Sequence, residues 1–295
     1  MDFKFTEEQA MIRDTAEAFL AEVSTSAAVR QAMATEPGYD SQLWQRICEE
    51  MFWQAIHIPE EHGGMGLGYV ELVAMLEQMG RYLLCSPFYA TVCLGVNALR
   101  VAGSEAQQAQ YLPEIVAGGT ATLAYTDASG RWDAQAISTT CVVEGANFTL
   151  NGRYRYVPDG HTADLLVVAA REPGSQGASG VSLFVLPADT PGVSRRWLPT
   201  MDQTRRLAEI ELNDVVLDAS ALLGEAGQAW PQLSRIIDLA TIAIAADQVG
   251  GAQQSLDISV AYMQERVQFG RVIASYQALK HKAADMMLKA EAGRS

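Results

Sequence analysis

The sequence predicts an α+β protein: an all-α N-terminal domain, a central antiparallel β-barrel or sandwich, and an incomplete C-terminal α-helical bundle of two long helices. Apolar residues recur at helical spacing over residues 1–118, at a spacing of two over 119–225, and at helical spacing again over 226–295. Helices and strands are segregated along the chain and do not alternate. This order excludes a Rossmann fold, so a dinucleotide would have to bind in another way.

In the first part, Thr6-Glu7-Glu8-Gln9 forms a capping box for a helix with Ile12, Ala16, Phe19, Leu20 and Val23 on one face. Ser41 and Trp44 begin a second helix, which leads into Ile58-Pro59-Glu60-Glu61-His62-Gly63-Gly64-Met65-Gly66-Leu67-Gly68. Such a loop cradles phosphate when a strand precedes it; Trp53-Gln54-Ala55-Ile56 makes a poor strand, so the glycines read as structural. Helices follow over 69–82, 90–101 and 105–116. In the middle part, residues 123–125, 139–143, 147–150, 165–169, 181–186, 207–212 and 215–217 are strand-like. Turns are expected at Asn151-Gly152, Asp159-Gly160 and Pro191-Gly192. From Ala229 the chain is helical to Ser295.

Lysine and arginine total 21 against 35 acidic residues, a net charge of −14 among 295 residues. That balance argues against nucleic-acid binding, which needs clustered cations. Cys48, Cys85, Cys93 and Cys141 show neither C-x-x-C pairing nor a nearby histidine at ligand spacing, so no metal site is expected and they read as reduced thiols. The charged start, with Asp2, Lys4, Glu7 and Glu8, leaves no signal peptide. The apolar run 239–249 is too short to cross a bilayer and contains Asp247. A soluble, cytoplasmic protein without a membrane segment is expected.

Between the two C-terminal helices lies Glu265-Arg266-Val267-Gln268-Phe269-Gly270-Arg271, followed by Ser275-Tyr276-Gln277-Ala278-Leu279-Lys280-His281-Lys282. Gly270 can take the left-handed geometry that ends the first helix, and Ser275 can cap the second. Arginine, amide, aromatic ring and open backbone meet here, an arrangement suited to a pyrophosphate and an adenine. By composition alone the corner is equally a charged helix–helix turn. Its wording, R-x-Q-F-G-R-x-I-x-S-[FY]-Q-A-x-K-H-K, closely resembles the signature of flavin-dependent acyl-CoA dehydrogenases. Residues 59–66 carry that family's P-E-E-x-G-G-x-G, and the helical–β–helical order matches as well. The resemblance implies FAD as cofactor, α,β-desaturation of an acyl-CoA thioester, and an electron-transfer protein as acceptor. It also implies a four-helix C-terminal bundle, of which this sequence supplies two helices. The gene product is then truncated, or the other helices are lost or come from another chain.

In the family, T-E-P-x-x-G-S-D holds the flavin ring; here it reads Thr126-Asp127-Ala128-Ser129-Gly130-Arg131-Trp132-Asp133. The segment N-G-x-K-x-W-I-[ST]-N-G supplies an aromatic beside the ring and a hydroxyl; here it reads Asn151-Gly152-Arg153-Tyr154-Arg155-Tyr156-Val157-Pro158-Asp159-Gly160. Tyr156 offers a stacking surface, whereas Pro158 brings neither hydroxyl nor N–H. The resemblance thus implies flavin contacts from Thr126 and Tyr156 on an eroded ring side, and from Arg266, Gln268, Phe269 and Gln277 on an intact corner. The family shares one flavin between two subunits, so this asymmetry fits a non-equivalent partner. Leu84-Cys85-Ser86-Pro87-Phe88, Pro158-Asp159-Gly160-His161-Thr162-Ala163-Asp164-Leu165 and Asp247-Gln248-Val249-Gly250-Gly251-Ala252-Gln253 resemble, within that family, the α2β2 dehydrogenases of bacterial steroid side-chain degradation. His161 reads as a loop hydrogen-bond donor.

The reaction also needs a carboxylate base in a dry site. Most family members place it in the part of the bundle missing here, and a minority at the position of Ala240. Two turns further, Asp247 is the only carboxylate between Leu239 and Gly251, with small Ala243, Gly250 and Gly251 leaving room for a ligand beside it. Asp247 is either the catalytic base or a solvated or partner-facing residue. The expected function is that of an acyl-CoA dehydrogenase subunit acting on a bulky or steroid-derived acyl group. The alternatives are a non-catalytic partner that completes the FAD site of a heteromeric dehydrogenase, and an inactive truncated homologue. An oligomer with an identical or homologous partner is expected, because Ile237, Ile244, Met286 and Met287 lack cover within this sequence.

Overall fold

The computed structural model describes residues 5–127 and 129–295, so Asp2, Lys4 and Ala128 of the motifs above lie outside the described residues. Six α-helices come first: α1 (Glu7–Val23), α2 (Ser26–Met33), α3 (Ser41–Arg46), α4 (Tyr69–Arg81), α5 (Asn97–Ala102) and α6 (Glu105–Val116). Strands follow: β1 (Ala121–Ala124), β2 (Thr140–Glu144), β3 (Asn147–Pro158), β4 (Leu165–Arg171), β5 (Val181–Pro187), β6 (Val193–Leu198), β7 (Leu207–Asp218) and β8 (Leu222–Leu223). The chain ends with α7 (Trp230–Glu265), the short strands β9 (Val267–Gln268) and β10 (Arg271–Val272), and α8 (Gln277–Arg294). The fold class is the expected one, helices flanking a central sheet.

The chain forms two compact units. The larger comprises residues 30–68 and 85–241. Its sheet runs β6-β7-β3-β2-β4-β5-β8, with β1 pairing in parallel with β4. The sheet is therefore mixed, since β2 also meets β4 in parallel at Thr140 and Arg171. One core lies between β1, β4, β5 and the helices, with Leu94, Leu99, Leu112, Val167, Leu183 and Leu233 buried together. A second fills the inner face of the β-domain around Phe148, Tyr154, Phe184, Ile210 and Val215.

Two strand expectations change. Asn151-Gly152 makes no turn, and β3 runs straight through it. The Asn151 amide is spent on the partner strand instead: Nδ2 donates to Asp214 Oδ1 at 2.9 Å, and Oδ1 accepts from the Asp214 N–H at 2.8 Å. That clasp holds a bulge on β7, where Asp214 has φ +50°. Gly152 is needed for close approach, because a Cβ there would sit 2.6 Å from Thr139 Cα. Likewise, 207–212 and 215–217 are one strand continued across the bulge.

The smaller unit comprises residues 1–29, 69–84 and 242–295. The expected capping box starts α1, with Thr6 Oγ1 accepting from the Gln9 N–H at 3.2 Å and Gln9 Oε1 from the Thr6 N–H at 3.0 Å. Helices α4 and α7 cross at glycines. A Cβ on Gly80 would lie 2.9 Å from Asp247 Cα, and one on Gly250 would overlap the Glu77 carbonyl and lie 2.9 Å from Arg81 N. Ion pairs flank the crossing, Arg81 with Asp257 at 3.0 Å and Arg294 with Glu77 at 2.9 Å. Gly250→Ala is therefore expected to destabilise the fold by about 1–3 kcal/mol or more through forced separation of the helices. Thermal unfolding checks this, and an unchanged midpoint would contradict it.

Candidate functional site

The ring-side residues are set by the start and end of strands. Thr126 follows β1, half-buried, and its hydroxyl donates to the Arg155 carbonyl oxygen. Asp127 then organises the loop: its carboxylate accepts from the Ser129 N–H at 2.8 Å, the Ser129 hydroxyl at 2.6 Å and the Arg131 N–H at 3.1 Å. Asp133 closes it by accepting from the N–H groups of Gln135 and Ala136. Both acids of the motif act as caps of their own loop.

Tyr156 sits where β3 carries two residues opposite one of β7. Its φ of +61° is a left-handed conformation that a tyrosine adopts only when its surroundings impose it. The ring lies against Gly130, where a Cβ would come within 2.7 Å of it, and the Arg155 guanidinium stands 5.3 Å from its centroid. Tyr156 as a whole remains 40% exposed. Pro158 ends β3, with its carbonyl accepting from the Thr122 hydroxyl at 2.7 Å. As a flavin-ring site these residues fit in part. Tyr156 offers a face, but the Thr126 hydroxyl is directed to Arg155 and Pro158 has no donor.

One group nearby was not singled out from the sequence. Asp159 is 5% exposed, with φ +48°, and burial pushes its carboxyl up to about 7 against the pull of Arg205. Its Asp-Gly turn marked the backbone and gave no sign of a buried acid. His161 behaves as the expected loop residue, its Nε2 lying 3.2 Å from the Glu36 carbonyl oxygen.

The corner in the smaller unit differs from expectation in its caps. Helix α7 ends at Glu265, before Gly270, and the chain then forms a two-residue hairpin between β9 and β10. Phe269 and Gly270 at its tip have φ +53° and +76°, the pair of positive values such a tight turn requires. The expected cap at Ser275 is not made. Its hydroxyl donates to the Val272 carbonyl at 2.7 Å, because a short 3-10 turn places Tyr276 at the head of α8. Tyr276 braces the hairpin, donating to the Gln268 carbonyl at 3.1 Å, meeting Phe269 edge-on at 6.5 Å and lying under the Arg271 guanidinium at 4.1 Å.

Arg266, Gln268, Phe269 and Gln277 are all exposed, Phe269 by 93%. The Arg266 side chain has no ion pair among the described residues. A braced hairpin carrying an uncompensated guanidinium and a bare ring fits the pyrophosphate and adenine of FAD. Here the residues suit the cofactor.

Asp247 is half-buried on α7, and the part of the space beside it that Gly250 was expected to leave is filled. Gly250 takes the backbone of α4 at Glu77, and the Asp247 backbone presses on Gly80. The alternative position, Ala240, is buried and its carbonyl accepts from the Tyr89 hydroxyl at 3.2 Å. Of the expected uncovered residues, Ile237 packs against the core and Ile244 is half-buried, whereas Met286 and Met287 are exposed. Ile258, Tyr262 and Leu288 are exposed too. All four cysteines are buried and none forms a disulfide among the described residues. Among the described residues no helix is long and apolar enough to cross a membrane.

The N-terminal, middle and C-terminal domain models of acyl-CoA dehydrogenase match residues 6–119, 122–215 and 227–295. Acyl-CoA dehydrogenase IpdE2 of Mycolicibacterium smegmatis is 32% identical, over 98% of this chain and 75% of that protein. Among solved structures, the Tcur3481-Tcur3483 steroid ACAD is 30% identical with a TM-score of 0.84, covering 97% of this chain and 74% of its own. The ChsE4-ChsE5 complex from Mycobacterium tuberculosis is 26% identical with a TM-score of 0.87, covering 99% and 76%. With all three of its parts matched in order, this chain belongs to the acyl-CoA dehydrogenase family of FAD-dependent oxidoreductases.

Proposed function

We propose that the chain is one subunit of a heteromeric acyl-CoA dehydrogenase acting on a bulky, steroid-derived acyl group. The observation that carries this is the braced corner between α7 and α8, which holds Arg266, a cation without a carboxylate partner among the described residues, and the exposed Phe269 ring. Arg266 would hold the pyrophosphate, and Gln268, Phe269 and Gln277 the adenine. Thr126 and Tyr156 would border the ring, and Asp247 would take the α-proton of the thioester. Bound FAD supplies the hydride acceptor for the β-carbon. Removal of the α-proton needs a dry site, which another surface covering α7 would supply. The exposed Ile258, Tyr262, Met287 and Leu288 supply an apolar surface for such a cover. The likeness to a two-component complex and to a steroid dehydrogenase supports a non-identical partner and a bulky substrate.

A second reading has its own observation. The Thr126 hydroxyl is engaged by Arg155 and Pro158 carries no donor, which favours a chain that completes its partner's flavin site without holding a ring itself.

Co-expression with the protein encoded beside it, followed by flavin absorbance and light scattering, tests the proposal. A complex larger than a monomer whose flavin bleaches with a steroid-derived acyl-CoA is expected. A flavin-free monomer in the presence of every candidate partner would contradict it.

A further inference from the structure

A groove in the larger unit uses none of the residues assigned above. The loop after α2, the turn after β3 and strand β6 line it with Glu36, His161, Thr162, Arg195, Arg196 and Trp197, around about 480 Å3. That volume suits a small organic ligand.

One of its cations, Arg195, is unusual in this acidic chain. Arg13, Arg46, Arg81, Arg131, Arg153 and Arg294 each lie within 4.0 Å of a carboxylate. Arg195 has no ion pair among the described residues. Its Nη1 donates to the carbonyl oxygens of Gly160 at 3.1 Å and Ala163 at 2.7 Å, while Asp164 and Asp189 act on it only from further away. Carbonyls fix the plane of a guanidinium without neutralising it, and its remaining N–H groups keep their donor capacity. Arg196, the next residue of β6, leaves the opposite face of the strand and pairs there with the buried Glu209, its Nε donating at 2.9 Å.

The rest of the wall is preset as well. The Trp197 ring is held from one side by Arg206, whose Cζ lies 4.5 Å from its centroid. Arg206 is itself fixed by the Met33 and Thr35 carbonyls at 2.8 and 2.7 Å. The indole N–H has no hydrogen-bond partner among the described residues. His161 Nδ1 is buried without one. Burial, then the nearby arginines, hold that imidazole below its ordinary range, and a bound anion would relieve this.

We propose that this groove binds a phosphate ester of about mononucleotide size, with Arg195 on the phosphate oxygens and Trp197, on the same face of β6, against the organic part. A phosphate oxygen pair matches the free edge of a guanidinium whose other N–H groups are already anchored.

Calorimetric titration of AMP into the full chain tests this, alongside Arg195→Gln, Trp197→Phe and Arg266→Ala. AMP is expected to bind the wild type, at least tenfold more weakly to Arg195→Gln, and within twofold of wild type to Arg266→Ala. Inorganic phosphate is expected to compete. Because Arg195 also tethers the turn after β3, Trp197→Phe provides a second reading, with at least threefold weakening. The proposal is overturned if wild type does not bind AMP, if adenosine binds as well as AMP, or if only Arg266→Ala weakens binding.

Discussion

Asp247→Asn is expected to leave FAD and acyl-CoA bound while lowering desaturation by about 10²–10⁴-fold, the usual contribution of a positioned general base. The amide keeps the shape of the side chain and removes its negative charge, so it can no longer take a proton. Helix α7 is fixed here by the Gly80 and Gly250 contacts with α4, so the substitution leaves the helix crossing intact. Single-turnover flavin reduction in the assembled complex reads the chemical step directly. A wild-type rate in Asp247→Asn would move the base to the partner chain and favour the non-catalytic reading.

Asp159→Asn is expected to raise stability above pH 7 by an amount on the order of a few kcal/mol and to flatten its dependence on pH. The folded protein holds this carboxyl at about 7, against an ordinary value of 3.8, because burial disfavours its charge. Between those values the native state binds more protons than the unfolded state, so stability is full below about pH 4 and is lost as pH rises to about 7. His57 works the other way, since burial holds it at about 4 and its contribution grows as pH rises toward 6.5. Comparing wild type with Asp159→Asn cancels His57 and isolates Asp159. Denaturant unfolding from pH 5 to 8 measures it, and parallel curves would show that Asp159 is solvated and titrates normally.

The order of structure along the chain was legible because hydrophobic period changes sharply near residues 119 and 226, and because caps such as Thr6 and Gln9 act locally. Asn151-Gly152 misled because a turn pair and a bulge clasp use the same residues; only the partner strand, with Asp214 opposite, decides between them. The corner residues were readable from their wording, but the hairpin was not. Its tight turn depends on Phe269 accepting positive φ, which a sequence does not announce. Asp247 gives the opposite lesson. Glycines beside a carboxylate suggest a cavity, yet glycines on both helices close the gap by letting backbones touch. The Arg195 groove joins residues from three distant segments, so no spacing in the sequence exposes it.

The corner at Arg266 is the center of this account, and cofactor retention tests it most directly. A charge-assisted contact to pyrophosphate is worth about 1.5–3 kcal/mol, so Arg266→Ala should weaken FAD retention by about 10–100-fold. Arg155 makes a poor comparison because it lies 3.2 Å from the buried Glu209, and its loss would disturb the sheet. Arg153, in an exposed pair with Glu211, is the better control. The measurement is FAD per complex after gel filtration, with wild type, Arg153→Ala and Arg266→Ala prepared together. The account predicts full flavin in the first two and little in Arg266→Ala; equal flavin in all three would contradict it.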